Sequence, residues 1–282
     1  MYPAHGEGSL CGQNLSAKRC STIGYEKRFN PAFKPNSREK LIEALLRDMP
    51  LAPSYFYRTS EINRTGPRIL GQVPQLRLMS VQEAKEVLEN GHLMLDVRTP
   101  EAFGGAHVPG AFNIWFGPSL STWAGWVLPY DKPITLLLDT PEHGEEVVRQ
   151  LIRVGFDNIS GYLEGGMEAW MEAGMPIDTV PQLSVHQLRE HLAGDNEIIV
   201  TDVRTPREYN SGHIEGALHI HAGQIDERNE ELNRGDAIAL VCRTAHRSSI
   251  AGSILKRHGF HKVCNVSGGM TAWTNAGYEI TP

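Results

Sequence analysis

Two kinds of hydrophobic pattern alternate along most of the chain. His92–Val97, Ile134–Leu138, Glu197–Val203 and Ala237–Val241 are short apolar runs that predict buried strands. Residues 144–154 and 247–258, which follow two of these runs, carry apolar positions at helical spacing. Ser80-Val81-Gln82-Glu83 and Ser184-Val185-His186-Gln187 fit the capping box, in which a Ser oxygen and a Glu or Gln side chain satisfy unpaired helix N–H groups. Strands alternating with helices predict an α/β fold, a parallel sheet covered on both faces. In such sheets ligands sit beyond the carboxyl ends of the strands.

The pattern occurs twice. Leu95-Asp96-Val97-Arg98-Thr99-Pro100-Glu101 returns as Thr201-Asp202-Val203-Arg204-Thr205-Pro206-Arg207, and His107-Val108-Pro109-Gly110-Ala111 as His213-Ile214-Glu215-Gly216-Ala217. Gly165-Gly166-Met167-Glu168-Ala169-Trp170 returns as Gly268-Gly269-Met270-Thr271-Ala272-Trp273. Two copies of one domain, 78–180 and 181–282, account for most of the chain. The leading residues differ. Arg38–Met49 reads as a short amphipathic helix with Leu41, Leu45 and Met49 on one side. Residues 50–77, punctuated by Pro50, Pro53, Gly66, Pro67, Gly71 and Pro74, read as an extended linker. The segment before the linker is too small to bury a core of its own.

The length of 282 residues fits about two domains. With 40% hydrophobic and 21% charged residues the composition is that of a globular protein, which excludes disorder and coiled coil. The net charge of −6 argues against a nucleic-acid-binding face. No apolar run approaches the roughly 20 residues of a membrane span, so a cytoplasmic protein is expected. Four cysteines (Cys11, Cys20, Cys242, Cys264) are too few for a disulfide framework. Twelve histidines form no metal-binding motif, so no metal site is expected.

Chemistry concentrates at Cys242-Arg243-Thr244-Ala245-His246-Arg247, between the strand Ala237–Val241 and a helical pattern that starts at Ser248. A cysteine there faces unpaired N–H groups and the positive end of a helix dipole, and three basic neighbours add charge. Each favours the thiolate, the nucleophilic form, and the same cradle accepts an anion. Cys264, between Val263 and Val266, reads as a core residue.

Asp202-Val203-Arg204-x-Pro206-x-Glu208-Tyr209, Gly212-His213-Ile214-x-Gly216-Ala217, Cys242-x-x-x-x-Arg247-Ser248 and Gly268-Gly269-Met270-x-Ala272-Trp273, in this order, resemble a rhodanese domain. The resemblance implies two tandem rhodanese-like domains, each a parallel five-stranded sheet flanked by helices. It implies that Cys242 takes the outer sulfur of thiosulfate or a low-molecular-weight persulfide, becoming a persulfide that a thiol or cyanide then discharges. The amides of 243–247 would stabilise the sulfur anions, with Arg243 and Arg247 orienting the donor. Ala245 departs from the many relatives that carry glycine there; if the position needs a positive φ, Ala pays in strain. Only four residues separate Cys242 from Arg247, one fewer than in the related phosphatase loop, so phosphatase chemistry is disfavoured.

The first copy has no cysteine, and either Leu138 or Asp139 falls at the catalytic position. Neither carries sulfane sulfur, so this copy is expected to be degenerate, with His143 a solvated loop residue. Residues 1–49, including Tyr2-Pro3-Ala4-His5-Gly6 and Ser21-Thr22-Ile23-Gly24-Tyr25, resemble the end of a metallo-β-lactamase-fold persulfide dioxygenase of the kind fused to two rhodanese domains. The iron-binding histidines of that family lie upstream of this segment, and His5 alone cannot hold iron. No dioxygenase activity and no cofactor are therefore expected. The expected partners are a small-molecule sulfur donor and a thiol acceptor, with self-association or a separate dioxygenase engaging residues 1–49. The alternative reading is a sulfur carrier or interaction module working with such a dioxygenase. Cys11, in a Gly-rich turn, reads as a bystander.

Overall fold

The computed structural model describes residues 1–5, 17–46, 51–194 and 198–282. Cys11 and Met49 lie outside them. The chain divides into Met1–Ala52 and Pro53–Pro282. In the first unit, α1 (Ile23–Phe29) begins where Thr22 Oγ1 accepts from the Tyr25 N–H at 3.1 Å. Helix α2 (Arg38–Leu46) follows a 3-10 turn at Pro31–Phe33. None of the three elements buries a residue, and Phe29, Phe33, Leu45 and Leu46 are exposed. Among the described residues of this unit no core is formed.

The extended linker expected over 50–77 is corrected by α3 (Tyr55–Thr65). Its prolines and glycines stand at the borders of this helix, not inside it, and Gly66 ends it with φ +93°. Helix α3 packs on the first copy. Gly125 leaves room for the Tyr55 side chain, whose Cβ and nearest ring carbons lie 2.7–2.9 Å from where a Cβ would stand, and Ser54 Oγ donates to the Gly125 carbonyl at 3.0 Å.

The first copy runs β1 (Leu78–Met79), α4 (Val81–Glu89), β2 (Leu93–Asp96), α5 (Pro100–Gly105), β3 (Phe112–Asn113), α6 (Leu120–Val127), β4 (Ile134–Leu137), α7 (Gly144–Ile152), β5 (Ile159–Leu163) and α8 (Gly166–Glu172). The second repeats the order: β6 (Gln182–Leu183), α9 (Val185–Ala193), β7 (Ile198–Asp202), α10 (Pro206–Asn210), β8 (Leu218–His219), α11 (Ile225–Arg228), β9 (Ala237–Val241), α12 (His246–Arg257), β10 (Val263–Val266) and α13 (Gly269–Asn275). Both capping boxes form, at Ser80 with Glu83 and at Ser184 with Gln187. Each copy is a parallel five-stranded sheet, ordered β1-β5-β4-β2-β3 and β6-β10-β9-β7-β8, flanked by helices.

Strand alternation then assigns the faces. Leu93, Leu95, Ile134, Leu136 and Leu138 of the first copy join Ile238, Leu240 and Cys242 of the second in one apolar core that spans both copies. Met94 and Leu137 point the other way into a core of the first copy, and Ala239 and Val241 into a core of the second. The two copies are therefore joined by buried apolar surface, and Cys242 stands on the shared face.

Candidate active site

Strand β9 ends at Val241, and the loop 242–245 carries the chain into α12. Cys242 is 1% exposed, and the Ser248 hydroxyl donates to its Sγ at 3.3 Å. The helix begins at His246, earlier than the sequence pattern suggests, because Ala245 turns the chain with φ +81° and ψ −8°. Among the described residues Ala245 is the one non-glycine at positive φ. The left-handed conformation costs a residue with a Cβ roughly 1–2 kcal/mol, so other contacts must hold the turn.

Those contacts come from three elements. The Met270 N–H donates to the Cys242 carbonyl at 2.8 Å and the Thr271 N–H to the Arg243 carbonyl at 3.1 Å. The N-terminus of α13 thus rests directly on the loop. That approach explains Gly269: a Cβ there would lie 2.2 Å from the Cys242 carbonyl oxygen and 2.8 Å from Arg243 backbone. The buried Asn265 amide on β10 donates to the Ala245 carbonyl at 3.2 Å, and the Ser249 N–H reaches the same oxygen at 3.1 Å.

Arg247 supplies the third tie. Its two terminal nitrogens donate to Glu208 at 2.6 and 2.7 Å. Burial alone would raise the Glu208 pKa, but hydrogen bonds from Arg247 and Thr205 outweigh it and bring the carboxyl down to about 2. Glu208 also caps α10 by accepting from the Thr205 N–H at 3.0 Å and hydroxyl at 2.7 Å. Arg247 is therefore paired with Glu208, a contact not anticipated from the sequence. With both ends of its guanidinium fork held by Glu208, it anchors the start of α12 and leaves its charge beside the thiol. Arg243, Thr244 and His246 are exposed at the rim, while Ala245 is buried beneath it. His246 packs on Trp115 of the first copy, with ring centroids 4.4 Å apart.

The register of the first copy decides between Leu138 and Asp139. Asp96 lies opposite Leu137 as Asp202 lies opposite Val241, so the next residue, Leu138, stands where Cys242 does. Leu138 is 6% exposed and simply fills the shared core. The loop after it differs: a 3-10 turn at Pro141–His143 precedes α7. His143 is tied down, with Nδ1 2.8 Å from Asp139 Oδ1 and its ring stacked 4.3 Å from Phe116. Cys264 is mostly buried, and that burial raises its thiol pKa to about 11, as suits a packing residue.

In the sequence Glu208 and Ser248 stand out only as members of motifs, with no role attached, and Asn265 and Trp115 do not stand out at all. Glu208 carried a signal, because Thr205-Pro206-Arg207-Glu208 is itself a capping box. Trp115 carried none, since its partner comes from the other copy. Among the described residues no group of three metal-binding side chains comes together, and no helix is long and apolar enough to cross a membrane.

Both copies match a known protein family. The Rhodanese-like domain family matches at residues 80–173 and again at 184–276. A Bacillus subtilis (strain 168) protein named "Putative sulfur carrier protein YrkF" is 36% identical over 96 residues, covering 34% of this chain and 52% of that protein. The chain thus matches about half the length of that relative. A sulfurtransferase of Allochromatium vinosum is 31% identical over 101 residues, covering 36% of this chain and 94% of that one. The crystal structure of a metallo-beta-lactamase from Staphylococcus aureus subsp. aureus COL is 33% identical, with a TM-score of 0.44, covering 57% of this chain and 44% of that one. With both halves of the repeat matched, the chain belongs to the family of rhodanese-like domain proteins and carries two such domains in tandem.

Proposed function

We propose that the protein is a sulfurtransferase that moves sulfane sulfur through a Cys242 persulfide, from thiosulfate or a low-molecular-weight persulfide to a thiol or cyanide. The observation that carries this reading is the position of Cys242 at the β9–α12 junction, under a loop whose amides precede a helix and whose flanking Arg247 is held by Glu208. The first N–H groups of α12 have no helical acceptor, so they are free to hold a sulfur anion.

In the first half-reaction the Cys242 thiolate attacks the outer sulfur of thiosulfate. A new S–S bond forms, the old one breaks, and sulfite leaves with the bonding pair. In the second, cyanide or a thiolate attacks the terminal sulfur of the persulfide. Thiocyanate or an organic persulfide departs, and the Cys242 thiolate returns. No external oxidant is needed, and the covalent intermediate divides one transfer into two displacements. Near-complete burial of the sulfur keeps bulk water from the intermediate.

The test is intact-protein mass after incubation with thiosulfate. Wild type gains about one sulfur atom and loses it to cyanide, while Cys242→Ser gains nothing. An equal gain on the Ser variant sinks the assignment. The likeness to the sulfur carrier protein favours one other reading, in which the persulfide forms but is passed to a partner protein. Slow turnover with every small acceptor would separate that reading from the enzyme.

A further inference from the structure

The first copy has no nucleophile, yet it reaches the rim of the site in the second. Cys242 stands on the face of β9 that both copies share. Helix α12, which begins at the reactive loop, runs against β3: the Ser249 hydroxyl donates to Asn113 Oδ1 at 2.5 Å, both side chains buried, and Arg257 lies over Phe112 at 4.2 Å. Beyond β3 the backbone stays extended, with the Ile114 and Phe116 N–H groups bonded to the Asp96 and Val97 carbonyls. Asn113 and Trp115 thus share one side of the chain, as Ser249 and His246, three residues apart, share one side of the helix. The two pairs are successive rungs of one contact, and the second brings Trp115 to His246 at 4.4 Å with a 45° tilt. Trp115 remains 37% exposed, so much of the indole still faces solvent beside the loop.

Two charges stand on the elements that meet here, one from each copy. Glu101, exposed in the first turn of α5, a helix that packs against α12, is near enough to act electrostatically on His246 and enters no ion pair among the described residues. Arg243, exposed at the rim, likewise has no ion-pair partner among them. Burial lowers the His246 pKa, more than Glu101 raises it, so the imidazole is neutral near pH 7 and leaves the Glu101 charge uncompensated.

Thiosulfate and cyanide have no use for an exposed carboxylate. An amino-acid or peptide thiol does: its ammonium suits Glu101, its carboxylate suits Arg243, and its aliphatic part suits the indole face. We propose that Trp115 and Glu101 of the first copy form the recognition wall for the sulfur acceptor of the second, selecting a zwitterionic aminothiol over anionic or inorganic acceptors. The inference rests on the sulfur-transfer reading of Cys242. The acceptor thiolate attacks the outer sulfur of the persulfide, an organic persulfide leaves, and the Cys242 thiolate is restored.

The experiment measures sulfite release from thiosulfate by the full chain with three acceptors: L-cysteine, 3-mercaptopropionate (the same thiol without its ammonium) and cyanide. Ratios of kcat/KM within each variant cancel the acceptors' intrinsic reactivities. Glu101→Gln is expected to lower the cysteine to 3-mercaptopropionate ratio about three- to fivefold, the scale of one exposed ion pair, through KM. Trp115→Ala is expected to lower the ratio of both organic thiols to cyanide. Glu101 is exposed, so its variant keeps the fold even where Trp115→Ala loosens the contact between copies. Unchanged ratios in Glu101→Gln overturn the proposal while leaving sulfur transfer intact. Absence of sulfite release from wild type with all three acceptors overturns the parent reading instead.

Discussion

Glu208→Gln separates the charge of the Arg247 anchor from its geometry. Glutamine at this position still accepts from the Thr205 N–H, as glutamine does in other capping boxes, so α10 keeps its cap. What is lost is the paired charge, held at 2.6 and 2.7 Å. A carboxyl brought from its ordinary 4.5 to about 2 stabilises the folded state by about 3 kcal/mol if fully shielded. The Glu208 side chain is 32% exposed, and solvent screening reduces that to roughly 1–2 kcal/mol. Arg247, 17% exposed and left without its counter-charge, works in the same direction. Because the folded-state pKa is depressed, this contribution is complete above pH 4.5 and drains away as pH falls towards 2. Urea unfolding followed by tryptophan fluorescence is therefore expected to show the variant about 1–2 kcal/mol less stable at pH 7, with the gap narrowing by pH 3. A gap of the same size at both pH values, or none at pH 7, would falsify the ion-pair account. Sulfite release by the variant should fall at pH 7 as well, since the anchor of the loop is loosened.

Three further outcomes follow from the loop. Gly269→Ala places a methyl 2.2 Å from the Cys242 carbonyl, which is backbone and cannot swing aside, so a stability loss of about 3 kcal/mol is expected by urea titration. Ala245→Val puts a β-branched residue at φ +81° and should cost roughly 2 kcal/mol and lower the yield of persulfide seen by intact mass; wild-type behaviour would mean the turn is not left-handed. Leu138→Cys in a Cys242→Ser background should gain no sulfur from thiosulfate. The thiol would then stand at the equivalent strand position, but Pro141 lacks an N–H, and Asp139 and Glu142 repel the dianion.

Much of the site was legible because its parts are close in sequence. The strand before Cys242, the helix after it and the basic residues between them occupy one short stretch, and the apolar period alone places the thiol at a strand-to-helix junction. The repeat was equally plain, since Asp-Val-Arg-Thr-Pro and Gly-Gly-Met-x-Ala-Trp return in order. The sequence is silent or misleading where contacts are distant. Nothing in the neighbours of Arg247 shows that it pairs with Glu208. Residues 50–77 look like a linker because prolines and glycines dominate the count, whereas the uninterrupted stretch between them folds as a helix on the first copy.

The sequence by itself determined two parallel α/β domains, a cysteine at a strand-to-helix junction in the second and none in the first, because these depend on local periodicity and on which residues are present. Tertiary structure decided which residue replaces that cysteine, since the register of β4 beside β2 brings Leu138 to the position of Cys242. It also decided what surrounds the thiol. Glu208 and Asn265 reach the loop from another helix and another strand of the same copy, brought there by its own sheet and packing, and burial of one apolar core between the copies brings Trp115 to His246.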